Sequence, residues 1–222
     1  MIAHVGPWSA LVTLKGVSGA EAVAGVLALE KHLLGAGLEL TETVPAFNRL
    51  LVTGRRTSWD PDRFEALVRE VVPGILSGDL VLPQPRHEVV LPACYHESLG
   101  PDLSVIADRA GLTRTDAAKL HADGRYMVLA TGFSPGFAYL GDLAQPLAMP
   151  RRDTPRQIHA GSIGIADRRT AVYPSDGPGG WQIVGAVPRS LFESATERLG
   201  RFAPGHPVRF RRITLTDYER ES

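Results

Sequence analysis

Between Gly132 and Gly180 the chain is too rich in backbone breakers to be one regular element. The stretch reads GFSPGFAYLGDLAQPLAMPRRDTPRQIHAGSIGIADRRTAVYPSDGPGG and holds eight of the 23 glycines and six of the 17 prolines. Glycine supplies positive φ and close backbone approach, whereas proline fixes φ and removes a donor. A long, shaped loop on a rigid frame is expected here, and such loops are where binding chemistry concentrates. Five arginines, Arg151, Arg152, Arg156, Arg168 and Arg169, are interleaved with its turns. Turns studded with guanidinium groups point to a site for an anion.

The rest of the chain alternates strand and helix. Ala10–Leu14 reads as a strand, and Ser18 with Glu21 as a capping box for a helix carrying Val23, Val26, Leu27, Leu33 and Leu34 on one face. Leu38–Val44 and Leu50–Thr53 read as strands around a turn at Pro45–Asn48. Asp60 and Pro61 open a second helix, whose face is Phe64, Leu67, Val68, Val71 and Val72 and which Pro73 is expected to stop. A closing strand at Glu88–Leu91 would complete a β-α-β-β-α-β unit, with Pro83-Gln84-Pro85 near the boundary. Two short helices follow, at Pro101–Ala110 and Asp116–Ala122. Short strands then alternate with turns: Tyr126–Thr131, Ile163–Ala166, Ala171–Tyr173, Gln182–Val187 and Val208–Ile213. That pattern predicts a closed or nearly closed β-barrel.

Charge and cysteine count narrow the function classes. Lys+Arg 24 balances Asp+Glu 24, so bulk electrostatics gives no grip on nucleic acid or an anionic membrane. Near-zero net charge also suits a surface covered by a partner. With one cysteine, Cys94, no internal disulfide is possible, and a reducing, cytoplasmic setting is expected. No apolar run approaches membrane-spanning length, and the N-terminus lacks a signal-peptide layout.

Gly132-Phe133-Ser134-Pro135-Gly136 matches a nucleophile elbow in letters only. The elbow uses the N–H of the residue after the serine, and Pro135 has none. Ser134 is expected to support a turn by hydrogen bonding. Ile106–Asp116 has a helix-turn-helix outline, but Asp116, Lys119, His121 and Asp123 do not make a basic recognition face. No histidine stands at metal-ligand spacing with a second His or Cys; His121 and His159 read as structural groups or proton carriers, and Cys94 as a small hydrophobe. The segment Ser175–Gly180 is glycine-rich but lacks the Lys and Ser/Thr of a phosphate-binding loop.

The strings GFSPGFAYL, MPRRDTPR, AGSIGIA and YPSDGPGGWQIVG, in this order, resemble the family of the bacterial 5-oxoprolinase B subunit. Cys94-Tyr95, Gly100-Pro101-Asp102-Leu103 and Val44-Pro45-Ala46-Phe47 fit the same resemblance. The family also takes in the sporulation-kinase inhibitor, allophanate hydrolase subunit 1 and the related region of urea carboxylase. The resemblance implies an α+β chain with a ferredoxin-like domain at 1–84 and a cyclophilin-like β-barrel of carboxyltransferase type at 85–222. It implies a non-autonomous hydrolase component that works with the 5-oxoprolinase C subunit, of related barrel fold, and the 5-oxoprolinase A subunit. Together they use ATP to open 5-oxoproline, a small amide, to L-glutamate. A sensor-kinase inhibitor, or an allophanate hydrolase or urea carboxylase component, is the alternative.

Carried over by position, Arg151, Arg152, Arg156, Ser162, Ser175, Gly179, Gly180 and Trp181 are the expected substrate or anion contacts. Gly132, Phe133, Pro135, Gly136, Phe137, His121 and His159 are the expected pocket-shaping residues, with no metal and no assigned catalytic group. The chain departs from the family pattern at His159, where Pro is usual, and at His96-Glu97-Ser98, where Asp-Gly-Glu is usual. The second departure removes an acidic residue beside Tyr95.

Overall fold

Ala10 and Val12 on one strand, and Leu50 and Val52 on its neighbour, turn to the same side and are fully buried. That period of two builds the first sheet of the computed structural model, which describes residues 1–78, 88–198 and 202–222. The chain divides into two units, Met1–Pro85 and Arg86–Ser222. In the first, strands β1 (Ile2–Gly6), β2 (Ser9–Thr13), β3 (Leu40–Ala46) and β4 (Arg49–Gly54) form an antiparallel sheet in the order β1-β2-β4-β3. Helices α1 (Gly19–Gly35) and α2 (Pro61–Ser77) close its core with Val26, Leu29, Leu33, Phe64, Val68 and Ile75.

Four local expectations change. Ser18 stands at the N-cap of α1 but its side chain accepts no bond, because the chain enters the helix through Gly19 at φ +61 rather than through a helical first residue. The β3–β4 turn tightens to Phe47-Asn48, and Pro45 lies within β3, an edge strand where a missing N–H is tolerated. Pro73 does not stop α2: the carbonyl it leaves without a helical donor belongs to exposed Arg69, and the helix runs on to a left-handed cap at Gly78. The expected closing strand at Glu88–Leu91 is displaced to Val89–Ala93 and joins the sheet of the second unit, while β1 occupies the edge beside β2. The segment Pro83–Pro85 lies outside the described residues.

The second unit is a nearly closed mixed barrel. Its strands are β5 (Val89–Ala93), β6 (Arg125–Thr131), β7 (Ala138–Gly141), β9 (Ser162–Ala166), β10 (Arg169–Val172), β12 (Gln182–Ala186) and β13 (Pro207–Arg212), in the order β12-β9-β10-β7-β6-β13-β5. Only β13 and β5 run parallel in this sheet. The seam is drawn together just past β5: the Cys94 N–H donates to the Ala186 carbonyl at 2.8 Å, and the Ala186 N–H to Cys94 at 2.9 Å. Gly185 allows that approach, since a Cβ there would lie 2.5 Å from the Cys94 carbonyl oxygen. A short ribbon pairs β8 (Arg156–Ile158) with β11 (Gly177–Gly179). The stretch read as loop between Gly132 and Gly180 thus contains five strands, kept short by its glycines and prolines. Helices α3 (Leu103–Ala110), α4 (Arg114–Ala122), α5 (Arg189–Arg198) and α6 (Leu215–Glu221) complete the unit. Thr113 caps α4 by accepting from the Asp116 N–H, and Gly111 ends α3 at φ +66.

His121 of α4 is fully buried in the barrel core rather than on a pocket wall. Thr170 Oγ1 donates its one proton to the Gly164 carbonyl, so the His121 Nε2–H donates to Thr170 Oγ1 at 2.9 Å. Nδ1 is left to accept from the Tyr95 hydroxyl at 2.7 Å. The Tyr126 hydroxyl donates to the His121 carbonyl, and Phe210 packs 4.9 Å from the imidazole. Burial lowers the His121 pKa to about 3 and pushes the Tyr95 hydroxyl well up, so both stay neutral.

The unfolded chain takes up a proton at this histidine near pH 6.5, whereas the folded chain does so only near pH 3. Stability contributed here is present above pH 6.5 and lost as pH falls toward 3, at up to about 1.4 kcal/mol per pH unit. Denaturant midpoints at pH 7 and pH 4.5 should therefore differ more for the parent than for His121→Gln, and an identical pH response in the two would contradict this.

Candidate functional site

Alternation along the barrel strands creates a second apolar face outside the core. Leu140, Val172 and Val184 point inward, whereas Tyr139, Ala171 and Ile183 point outward. The outward residues gather Phe137, Tyr173 and Trp181 into one aromatic wall. The Phe137 ring lies at its centre, edge-on to Tyr139 at 5.0 Å, Tyr173 at 5.5 Å and Trp181 at 5.6 Å. The β8–β11 ribbon lays Ile158 against it. Gly179 fits beneath Tyr173, where a Cβ would come 2.6 Å from the phenol oxygen.

The arginine loop is fastened to this wall through its backbone and through one carboxylate. The Arg152 N–H donates to the Gly180 carbonyl at 2.7 Å, and Arg156 pairs with Gly179 in the ribbon. Asp102, at the start of α3 and only 8% exposed, accepts from Arg152 at 3.3 Å, from Arg156, and from the Ile183 N–H at 2.6 Å. Each guanidinium has five N–H donors, so one bond to Asp102 orients it without exhausting it. Arg151 makes no hydrogen bond or ion pair among the described residues, and its guanidinium lies against Gly180. Its charge reaches Tyr173: burial pushes that phenol up, while the Trp181 backbone N–H and Arg151 act the other way.

The remaining expected residues divide among three places. Gly132, Phe133, Pro135, Gly136 and Phe137 line a cavity of about 420 Å³ with Thr131, Ser134 and Phe202. The arginines do not line it, but Phe137 belongs to both the cavity and the wall. Ser134 holds its turn through its carbonyl, which accepts from the Phe137 N–H; its hydroxyl makes no hydrogen bond among the described residues. The turn links strand to strand, unlike the strand-to-helix elbow of a serine hydrolase. His159 and Ser175 are exposed at the other end of the β8–β11 ribbon, where the Ala160 N–H donates to Asp176 at 2.7 Å, and Ser162 opens β9 nearby. Neither His159 nor Ser175 meets the arginines. Arg168 and Arg169 belong to the β9–β10 hairpin, where Arg169 pairs with Asp142 at 2.7 Å. Asp102 was not among the expected site residues, although it stands in the Gly100–Leu103 motif.

Asp102→Ala would leave two guanidinium groups and the Ile183 N–H without their shared acceptor. It should lower unfolding free energy by about 1.5–3 kcal/mol, the scale of hydrogen bonds to a charged group. Urea denaturation measures this, and a change below about 0.5 kcal/mol would show that the carboxylate does not hold the loop.

Residues 1–200 match the family model for the carboxyltransferase domain, subdomain C and D. The chain is 40% identical over 134 residues to the 5-oxoprolinase B subunit of Bacillus subtilis (strain 168), covering 60% of this chain and 56% of that protein. It is 38% identical over 173 residues to the 5-oxoprolinase B subunit of Escherichia coli O157:H7, covering 77% of each. The match thus spans little more than half the length of the B. subtilis relative. Among solved structures, the conserved uncharacterized protein PH0987 from Pyrococcus horikoshii superposes with a TM-score of 0.53 at 29% identity, covering 98% of this chain and 100% of that one. With the arginine loop, the aromatic wall and these likenesses together, the chain belongs to the carboxyltransferase-domain family that includes the 5-oxoprolinase B subunits.

Proposed function

We propose that the chain is the B subunit of an ATP-dependent 5-oxoprolinase, inactive alone, that opens 5-oxoproline to L-glutamate with the 5-oxoprolinase A and C subunits. The observation that carries this reading is the 40% and 38% identity to two proteins named as 5-oxoprolinase B subunits. In this reading the first unit, residues 1–84, is a ferredoxin-like sandwich in which β1 fills the edge position of the last strand. The second, residues 85–222, is a cyclophilin-like barrel of carboxyltransferase type whose close partner is the C subunit. A reducing cytoplasm suits its single thiol, Cys94, which is buried and unbridged.

The site offers the right chemistry for a lactam acid. Arg151 would grip the substrate carboxylate, and the lactam ring would rest on the aromatic wall. Arg152 and Arg156, already oriented by Asp102, would meet the oxygen on which negative charge develops, with no reorganisation at that moment. ATP would supply the phosphoryl group that activates the lactam carbonyl carbon; one water would then add to that carbon, the ring C–N bond would break with the nitrogen leaving as the protonated amine, and a second water would release phosphate to leave the carboxylate. The segment Ser175–Gly180 leads into β12 rather than into a helix, so it does not fit a nucleotide phosphate cradle.

The purified chain should release no glutamate from 5-oxoproline and ATP, and release should appear on adding the A and C subunits; robust turnover by the chain alone would overturn the split-enzyme reading. In the assembled enzyme, Arg151→Ala should lower kcat/KM at least about tenfold, roughly 1.4 kcal/mol of transition-state stabilisation, with little change in Tm. Ser134→Ala should leave activity within a few-fold and stability within about 0.5 kcal/mol. A loss near a thousand-fold with the fold intact would make Ser134 a catalytic group.

A further inference from the structure

A second cavity, of about 450 Å³, opens where β5 and β13 end side by side. The two strands run parallel, with Arg211 opposite Pro92 and Arg212 opposite Ala93, so both deliver their C-terminal residues to the same place. Arg211, Arg212 and Arg114 line it, and it shares no residue with the arginine loop. Arg114 is pinned by neutral acceptors: it donates to the Tyr95 carbonyl at 3.0 Å, the Gly100 carbonyl at 2.9 Å and the Ser104 hydroxyl at 3.0 Å. Those partners fix its position and leave its charge uncompensated. Arg211 and Arg212 make no hydrogen bond or ion pair among the described residues. The one carboxylate in the lining, Asp217, is engaged by the Thr214 hydroxyl at 2.7 Å and by Arg220 at 2.9 Å.

Alternation along β13 turns Arg212, with Phe210, to the side on which α4 packs, and Arg211, with Arg209, to the other side. Arg212 and Arg114 thus share a concave surface whose described lining holds no free carboxylate to answer them. A recess of one sign focuses the field and raises the local concentration of oppositely charged solutes. The remaining lining is partly apolar, with Ala118, Ile213 and Leu215. Its volume leaves room for more than a bare inorganic ion. We propose that this cavity binds a small organic acid, with carboxylate groups on Arg212 and Arg114 and a short aliphatic body on Ile213 and Leu215.

Calorimetric titration of the full chain with glutarate tests this without any turnover, so the result is independent of the enzymatic reading above. Saturable binding is expected, weakened at least tenfold by Arg212→Ala. Leu215→Trp, which fills the cavity without changing charge, should weaken it similarly. Arg151→Ala, at the other site, should leave it unchanged. Lack of saturable binding to the parent chain would overturn the proposal, as would binding that survives both cavity variants or is lost equally in Arg151→Ala. Inorganic phosphate that binds as tightly as glutarate would also count against it, because the apolar floor would then contribute nothing.

Discussion

One carboxylate organises the candidate site. Asp102 reaches 50 residues along the chain to Arg152, 54 to Arg156 and 81 to the backbone of Ile183. Three segments distant in sequence are held by one nearly buried side chain. Without it, two guanidinium groups would stand close together with no counter-charge. With it, both present their remaining N–H donors from fixed positions beside the aromatic wall. A site meant to meet developing negative charge works best when its donors are oriented beforehand.

That arrangement depends on β12. Its inward residue Val184 belongs to the barrel core, its outward residue Ile183 to the aromatic wall, and its Ile183 backbone bonds Asp102 in both directions. Ala186, at the end of the same strand, draws the barrel seam together with Cys94, and Gly185 permits the contact. Closing the barrel and placing the arginine loop are therefore two consequences of where one strand lies. Arg151 is free of ion pairs among the described residues while its neighbours are tied, and it is the group the proposed function assigns to ligand recognition.

Much of this was readable from residue order. Ala10–Leu14 and Leu50–Thr53 were readable as strands, and Asp60-Pro61 located the start of α2. The β1 strand gave no signal, because Ile2–Gly6 is an edge with no buried residue to imprint a pattern. Glu88–Leu91 was recognisable as a strand, but its partner was not: local pattern cannot tell which sheet a strand will join, and pairing with β13 lies more than a hundred residues away. The arginine cluster was visible in the residues themselves, whereas the Gly179–Trp181 turn was singled out by the family resemblance. Asp102 and the ion pairs it makes were not, since a lone aspartate at a helix start reads as a cap. His121 carried the opposite lesson. A histidine in a polar-looking helix proved to be a satisfied core group, because Tyr95 and Thr170 arrive from elsewhere in the chain to meet both ring nitrogens.

The most direct test is a structure of the chain assembled with the 5-oxoprolinase A and C subunits and soaked with 5-oxoproline. The account predicts the substrate carboxylate on the Arg151 guanidinium, the lactam ring against Trp181 and Phe137, and Arg152 and Arg156 still bonded to Asp102. A substrate bound elsewhere, with Arg151 in solvent and the Asp102 pairs undisturbed, would contradict it.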